Sequence, residues 1–587
     1  MKKITFQPGE VRRYGLAAAA GLLLAAAFPK WGVAGLGWLA PGLILATTLG
    51  MEKGAAFRIG YVAGMAHCLV SLYWLLFIPV ALAPIAGWVA LAAYQAFYTA
   101  LWVYLCWAVH PADLVIKLGA GTARPHSSRG DESSPPRFTG STGETSSGGI
   151  LSLLDRLVSA SWPQRLAWGI SCAALWVAGE MIEARLFSGF PWNFLGASQY
   201  RMLPIIQLSS VTGVYGVSFL MAWFSAALLC AAAVVIRQPT MRRVWMGELI
   251  VPLMALIAAV TFGLRQSFAP PPAAPTLKVA LIQPSIPQKM IWDPGEANGR
   301  FKQLLELSEK ALQSHPELLI WPEAAVPNVL RFDTNNLPAI TNLVRAHKIW
   351  LILGADDVMW RPNSVKETDY DYYNSSFLIS PEGELVALYQ KRKLVIFGEY
   401  LPLRRWLPFL ESLTGLGSFA AGTKAVPFDL PDLKVKTSVL ICFEDLFPHL
   451  VREDVQEDTD FLVNLTNNGW FGESAAQWQH AANAVFRAVE NGLPLVRCTN
   501  NGLTCWIDAR GRMHEVYFPG SRDIYQVGFK LANVPVLAGH PRNPTFYRQH
   551  GDCFGWACVG FSFLRVGATR FARGSRVRQS AAPAKPA

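Results

Sequence analysis

Three polar residues stand at the ends of apolar, strand-like runs. Glu323 closes LLIWPE, Lys391 follows VALYQ, and Cys442 follows SVLI and opens CFED. Strand ends are where an α/β sheet presents reactive groups, and these three types make a coherent set for acyl transfer. A thiol has an ordinary pKa near ~8.5 and must lose its proton to attack a carbonyl. A carboxylate, here Glu323, can accept that proton. The Lys391 ammonium can stabilise the thiolate and the tetrahedral oxyanion. The acyl group then rests on sulfur as a thioester until a second nucleophile removes it. Taken singly each signal is weak: a Cys after a strand is usually inert core, a Glu after Trp-Pro a turn residue, and a Lys in QKRK part of a solvated charge run.

The segment that must position these residues runs from about 277 to 532. LKVALIQ, ELLIWPE, IWLILGAD, TSVLICFED and DFLVNLTNNGW read as strands, and FKQLLELSEKALQ has the 3.6-residue period of an amphipathic helix. SSFLISPEGELVALYQ and TCWIDARGRMHEVYF read as hairpins. Mixed strands and helices over this length predict one α/β layer domain.

The rest of the chain belongs with lipid. Of 587 residues, 52% are hydrophobic and 16% charged, with mean hydropathy +0.26, where soluble domains carry about 25% charged residues. The net charge of +11 could suit nucleic acid, but Arg and Lys cluster beside apolar runs, which favours a membrane over a nucleic-acid partner. Nine cysteines, at least four of them (Cys68, Cys106, Cys172 and Cys230) inside apolar runs and none in paired CxxC spacing, suggest neither a disulfide framework nor a metal site. Apolar runs suited to a hydrocarbon core of ~30 Å lie near Tyr14–Phe28, Val33–Leu49, Phe57–Ile78, Val80–Val109, Leu166–Ile182, Val211–Ile236 and Val244–Phe262, with a shorter one at Phe554–Val566. The first reads as an uncleaved span. Every second connection is basic: Lys2, Lys3, Arg12 and Arg13; Lys53 and Arg58; Lys117 to Arg165; Arg237, Arg242 and Arg243; then Arg565 to Arg578. Positive charge stays inside, so both termini are expected in the cytoplasm and the α/β domain outside it, in a periplasm-like space. Glu180, Glu183 and Glu248 fall near span ends and read as interfacial. The Ser/Gly/Thr/Pro-rich stretch 111–164 is expected to be a flexible cytoplasmic loop.

The expected organisation is a membrane domain of about seven helices over 1–266, a catalytic domain over 277–532, a last transmembrane helix over 546–566, and a basic tail over 567–587. The α/β segment resembles the nitrilase superfamily, an α-β-β-α sandwich with a Glu–Lys–Cys triad. The whole chain resembles that superfamily's membrane-embedded branch, the apolipoprotein N-acyltransferases. The resemblance is carried by SGFPWNFLG, SSVTGVYGVSFL, IPQKMIWD, IWPEAAVP, YQKRKLVIFGEYLP, ICFEDLFP, NLTNNGWFG, QHAANAVFRAVENGLPLVRCTNNG and PTFYRQHGD, in family order. It implies Glu323 as general base, Lys391 as oxyanion stabiliser, Cys442 as nucleophile and Glu399 as a supporting glutamate. Trp292 and Glu444 are implied near substrate. It implies a phospholipid acyl donor and a diacylated apolipoprotein acceptor in a bacterial inner membrane, with no metal or diffusible cofactor; a monomer is expected. Lys393, Ile396, Phe443 and Asn468 stand where the family usually has His, Pro, Tyr and Asp. A membrane-tethered nitrilase-type amidase and a non-catalytic membrane scaffold are the alternatives.

Overall fold

The computed structural model describes residues 8–80, 83–110, 154–155, 157–240, 242–268, 274–361, 370–401, 419–536 and 543–580. Most of the predicted loop at 111–164, and the last seven residues of the predicted tail, lie outside the described residues.

Long helices form where the apolar runs predicted them: α1 (Pro8–Ala26), α3 (Lys53–Ser71), α4 (Ala83–Ala108), α5 (Trp162–Glu183), α6 (Val214–Arg237) and α7 (Arg242–Phe268), with α2 (Ala40–Thr47) much shorter. Among the described residues, α4, α5, α6 and the Met246–Phe268 part of α7 are long and apolar enough to cross a membrane. The shortest has 22 residues, or about 33 Å at ~1.5 Å per residue. The chain is a membrane protein with these four candidate spans. α1 and α3 have 19 residues each and carry Arg12 and Arg13, and Lys53 and Arg58, respectively.

The run Val33–Leu49 was expected to be a span of its own, and the structure differs. It forms a 3-10 turn, Ala34–Trp38, followed by the eight residues of α2, a rise of only about 12 Å. Pro41 in the first turn of α2, and Gly35 and Gly37 ahead of it, keep one continuous helix from forming. Gly42 lies so near α6 that a Cβ there would meet the Ser225 carbonyl oxygen at 2.4 Å, and its N–H donates to Ser225 Oγ at 2.7 Å. The glutamates differ too. Glu248 is buried rather than interfacial, its Oε1 accepting from Arg165 Nε at 2.6 Å with both side chains almost wholly enclosed. Glu180 is also buried.

The α/β segment builds two sheets. Its strands are β1 (Thr276–Gln283), β2 (Leu318–Ile320), β3 (Val326–Val329), β4 (Trp350–Trp360), β5 (Tyr370–Ile379), β6 (Leu385–Gln390), β7 (Pro427–Leu430), β8 (Val435–Ile441), β9 (Phe461–Thr466), β10 (Leu495–Thr499), β11 (Cys505–Ile507), β12 (Met513–His514) and β13 (Gly528–Pro535). One sheet has the order β13-β1-β2-β4-β5-β6, with β3 paired to β4; the other runs β12-β11-β10-β9-β8-β7. Parallel pairs lie centrally in both: β1–β2 and β2–β4 in the first, β8–β9 and β9–β10 in the second. The central strands are buried on both faces, as their continuous apolar runs require.

Leu281, Ile320 and Ile352 of the first sheet meet Val439, Val463 and Val496 of the second in one core. The first sheet's other face is covered by α8 (Ala297–Leu312) and α9 (Asn336–His347). The second sheet's other face is covered by α10 (Ala476–Asn491), giving an α-β-β-α sandwich. The apolar core around α10 runs on without a break into α1, α5 and α6, so sandwich and bundle share a core. A last helix, α11 (Cys553–Ser580), packs on α5.

Removing one partner of a buried ion pair strands the other charge, which costs about 3–5 kcal/mol. Glu248→Ala is therefore expected to lower the thermal unfolding midpoint in detergent by an amount of that size. A loss below about 1 kcal/mol would mean that Arg165 finds water or another partner.

Candidate active site

Each triad residue leaves the carboxyl end of a strand. Glu323 follows β2 by three residues, Lys391 follows β6 directly, and Cys442 follows β8 directly. β4 passes close beneath Glu323: a Cβ on Gly354 would meet the Glu323 Cα at 2.7 Å, so glycine is required there. Three non-glycine residues at the site hold positive φ: Ala324 (51°), Phe397 (61°) and Cys442 (51°). Strained backbone of this kind persists only where the surroundings over-determine it.

The structure brings Glu323, Lys391, Glu399 and Cys442 together. Lys391 is 1% exposed, and its Nζ donates to Glu399 Oε1 at 2.7 Å and to Glu323 Oε1 at 3.2 Å. Asn374 Nδ2 donates to the same two oxygens, at 3.1 Å and 2.8 Å. Glu323 Oε2 accepts the Asn467 N–H at 2.8 Å, and Glu399 Oε2 accepts the Val395 N–H at 2.9 Å. Burial alone would discharge the lysine, but Glu323, Glu399 and Cys442 outweigh it and hold its pKa well above the ordinary value. Burial, reinforced by Glu323, pushes the Cys442 thiol up to about 12 against the opposing pull of Lys391 and the Thr466 hydroxyl. The resting site therefore holds a neutral thiol beside a charged lysine. Attack from such a thiol needs its proton removed in the same step, and a carboxylate is at hand to take it.

Glu444, expected near substrate, has both carboxylate oxygens hydrogen-bonded within the protein. It is fully buried. Oε2 accepts the Ile441 N–H at 2.7 Å, Oε1 accepts the Arg392 and Lys393 N–H groups at 2.7 and 3.1 Å, and the Tyr389 hydroxyl lies 2.9 Å from both oxygens. It ties the segment carrying Lys391 to the turn carrying Cys442. Trp292 is 43% exposed and packs edge-on against Trp470, with ring centroids 5.2 Å apart. Of the residues that depart from the family pattern, Phe443 packs between Phe190 and Phe447, Lys393 Nζ lies over the Phe447 ring, and Asn468 Oδ1 lies 3.1 Å from His480 Nδ1.

Sequence reasoning missed the groups that hold the nucleophile's backbone. The Cys442 carbonyl accepts from Asn464 Nδ2 at 3.0 Å and lies 3.1 Å from His480 Nε2. That same nitrogen lies 2.7 Å from Asp445 Oδ1, and Arg497 donates to Asp445 Oδ2 at 2.6 Å. Asp356 was missed as well; burial and the charges of Glu323 and Glu399 raise its carboxyl to about 7. Asn464, Asp445, His480 and Arg497 all fall inside motifs that carry the resemblance, which is the signal that could have found them; Asp356 lies outside every such motif.

The membrane helices reach this network. Trp192, in the SGFPWNFLG motif, lies against the His480 ring at 5.4 Å. Gln479 Oε1 accepts from Trp192 Nε1 at 2.7 Å and Trp74 Nε1 at 3.0 Å, while its Nε2 donates to the Pro29 and Ser71 carbonyls. Cys442 itself packs against an apolar cluster that includes Cys68, Leu72, Trp74 and Trp192.

Two outcomes follow from this geometry. Because the thiol pKa is raised, its thiolate is scarce at neutral pH and appears only as pH climbs. Alkylation of Cys442 by iodoacetamide should be slow at pH 7 and rise through the alkaline range, and Lys391→Met should move that profile further up. Fast alkylation at pH 7 would contradict this electrostatic balance. Glu444→Gln puts an amide N–H₂ where backbone N–H groups need an acceptor, and an unpaired buried donor costs about 1–3 kcal/mol. The variant should show that loss in thermal unfolding together with slower turnover.

Comparison with known proteins bears on the whole chain. The carbon-nitrogen hydrolase family matches residues 278–528, and the apolipoprotein N-acyltransferase N-terminal domain matches residues 140–227. An apolipoprotein N-acyltransferase of Geobacter metallireducens is 33% identical over 574 residues, covering 96% of each chain. One of Chlorobaculum tepidum is 30% identical over 409 residues, covering 66% of this chain and 74% of its own. Among solved structures, an amidase from Nesterenkonia sp. aligns at 16% identity with a TM-score of 0.32, over 44% of this chain and 90% of its own. With a carbon-nitrogen hydrolase sandwich joined to a bundle of apolar helices, and a relative matched from end to end, the chain belongs to the apolipoprotein N-acyltransferase family.

Proposed function

We propose that the protein moves an acyl chain from a phospholipid to the N-terminal amine of the diacylglyceryl-cysteine of an apolipoprotein, through a thioester on Cys442. In the first half-reaction, Glu323 takes the thiol proton as sulfur attacks the donor's ester carbonyl. Lys391 stabilises the tetrahedral oxyanion. The ester C–O bond breaks, and Glu323 returns the proton to the departing lysophospholipid oxygen. In the second, the acceptor amine attacks the thioester, Glu323 takes an amine proton, the C–S bond breaks, and the sulfur recovers its proton. Glu399 holds Lys391 in place, and Trp292 stands at the approach to the site.

The observation that carries this reading is the apolar floor under Cys442. A soluble amide needs no such surface, whereas a lipid acyl chain does. The alternating basic connections support a catalytic domain on the periplasmic side, with both termini in the cytoplasm. The proposed organisation is a membrane domain over 1–266, a catalytic domain over 277–532, a last transmembrane helix over 546–566 and a basic tail over 567–587, in a monomer of the bacterial inner membrane.

The detergent-purified protein, incubated with phospholipid and no acceptor, should carry a hydroxylamine-labile acyl chain on Cys442, detectable by peptide mass. Cys442→Ala should carry none, and Glu323→Ala should slow its formation by about 10²–10⁴-fold. A diacylated lipopeptide with a free N-terminus should then discharge the acyl chain onto its amine. Absence of the adduct from folded protein with every phospholipid tried, or discharge to water alone, would favour a tethered amidase.

A further inference from the structure

Beneath the sandwich, α1, α3, α4 and α5 line a partly open cavity of about 80 Å³. Its lining combines groups that rarely share a membrane interior: Glu180, Glu183 and His67 with the rings of Tyr98, Trp102 and Trp176. Glu180 Oε1 accepts the Leu195 N–H at 2.8 Å and Trp176 Nε1 at 2.9 Å. Glu180 Oε2 is buried without a hydrogen bond, as are His67 Nδ1 and Asn193 Nδ2. The neighbouring Ser218 hydroxyl accepts the Gly196 N–H and keeps its own O–H turned to the Glu180 carboxyl. Glu180 is 4% and His67 8% exposed. No lysine or arginine lines the cavity, and among the described residues neither glutamate is in an ion pair, the nearby Arg185 being paired with Asp552.

A buried carboxylate oxygen and a buried imidazole nitrogen without partners are costly and mark a site that awaits one. Two carboxyls call for a cation, and aromatic faces add to that preference. Among the described residues no three His, Cys, Asp or Glu side chains are placed to hold a metal ion, and the rings of Tyr98, Trp102 and Trp176 suit an organic cation. A primary ammonium fits the unmet groups, since it brings N–H donors to Glu180 Oε2 and an unprotonated His67 nitrogen, with the Glu183 carboxyl on the same wall beside Gln95. The cavity also adjoins the reaction centre: Cys68, Leu72 and Trp192 line it and belong to the cluster on which Cys442 packs.

We propose that this cavity binds the primary ammonium group of a lipid substrate, a reading that rests on the acyl transfer proposed above. The group has two possible sources, the ethanolamine headgroup of a donor phospholipid and the free α-amine of the diacylated acceptor.

Both can be tested on the full-length Cys442→Ala chain in detergent, with binding followed by native mass spectrometry. One arm compares phospholipids of identical acyl chains bearing ethanolamine, choline or glycerol headgroups; choline keeps the charge but has no N–H. The other compares a diacylated lipopeptide with a free N-terminus and the same peptide N-acetylated. At least a tenfold preference for the N–H-bearing member of one pair is expected, and that pair identifies the source. Glu180→Gln and Glu183→Gln should each abolish the preference and leave binding of the glycerol lipid unchanged. If Glu180→Gln does not fold, Glu183→Gln decides alone. Equal binding within both pairs, or a preference that survives the glutamine variants, overturns the proposal. Thioester formation on wild-type Cys442 is scored separately. If the thioester forms and no amine preference is found, the cavity assignment falls while acyl transfer stands; if no thioester forms, it is the transfer reading that fails.

Discussion

A lysine ammonium sealed from water between two glutamates is the constraint on which the site depends. Lys391 is buried, and isolated there it would lose its proton or tear the fold open. Glu399 and Glu323 keep it charged, and Asn374 bridges their oxygens so that the two carboxylates do not drive each other apart. The thiol pays for this arrangement by losing its tendency to ionise at rest. A cysteine kept neutral is spared casual oxidation and alkylation, and it becomes nucleophilic only when a carbonyl arrives and Glu323 accepts the proton.

Rigidity passes outward from that centre in two directions. Glu444 fastens the Lys391 segment to the Cys442 turn through backbone N–H groups, so the two strand ends move as one. His480, Asp445 and Arg497 hold the Cys442 carbonyl from the other side. His480 rests on Trp192, and its neighbour Gln479 is held by Trp74 and Trp192. The carboxamide of Gln479 has both its oxygen and its nitrogen committed to the bundle, which fixes how the sandwich sits on the membrane helices. The shared core around α10 does the same with apolar contacts.

The sequence carried the elements and the reactive types well, because both are local. Strand ends at Glu323, Lys391 and Cys442 follow from short apolar runs, and the β5–β6 hairpin follows from Pro381-Glu382-Gly383. What escaped was whatever depends on a distant partner. Asn467 meets Glu323 across 144 positions and Arg497 meets Asp445 across 52, and no periodicity records such meetings. The partners of Glu180 and Glu248 escaped for the same reason: their places near span ends read as interfacial, and folding set Arg165 beside one and the cavity beside the other. The run at Val33–Leu49 has the hydropathy of a span, but Pro41 and the glycines before it confine its helix to eight residues. Resemblance placed Glu444 near substrate; that it also fastens the Lys391 segment to the Cys442 turn is visible only from the backbone groups around it.

The polar hub at Gln479 has a consequence for the timing of synthesis. Its partners Trp74, Ser71 and Pro29 lie 405, 408 and 450 residues earlier in the chain. At ribosomal rates of about 5–20 residues per second, they emerge roughly 20 to 90 seconds before it. The floor on which Cys442 comes to rest is therefore made long before the cysteine exists. The sandwich is thus synthesised after the helices it packs on, and α11, clamped through Asp552 to Arg185, follows both.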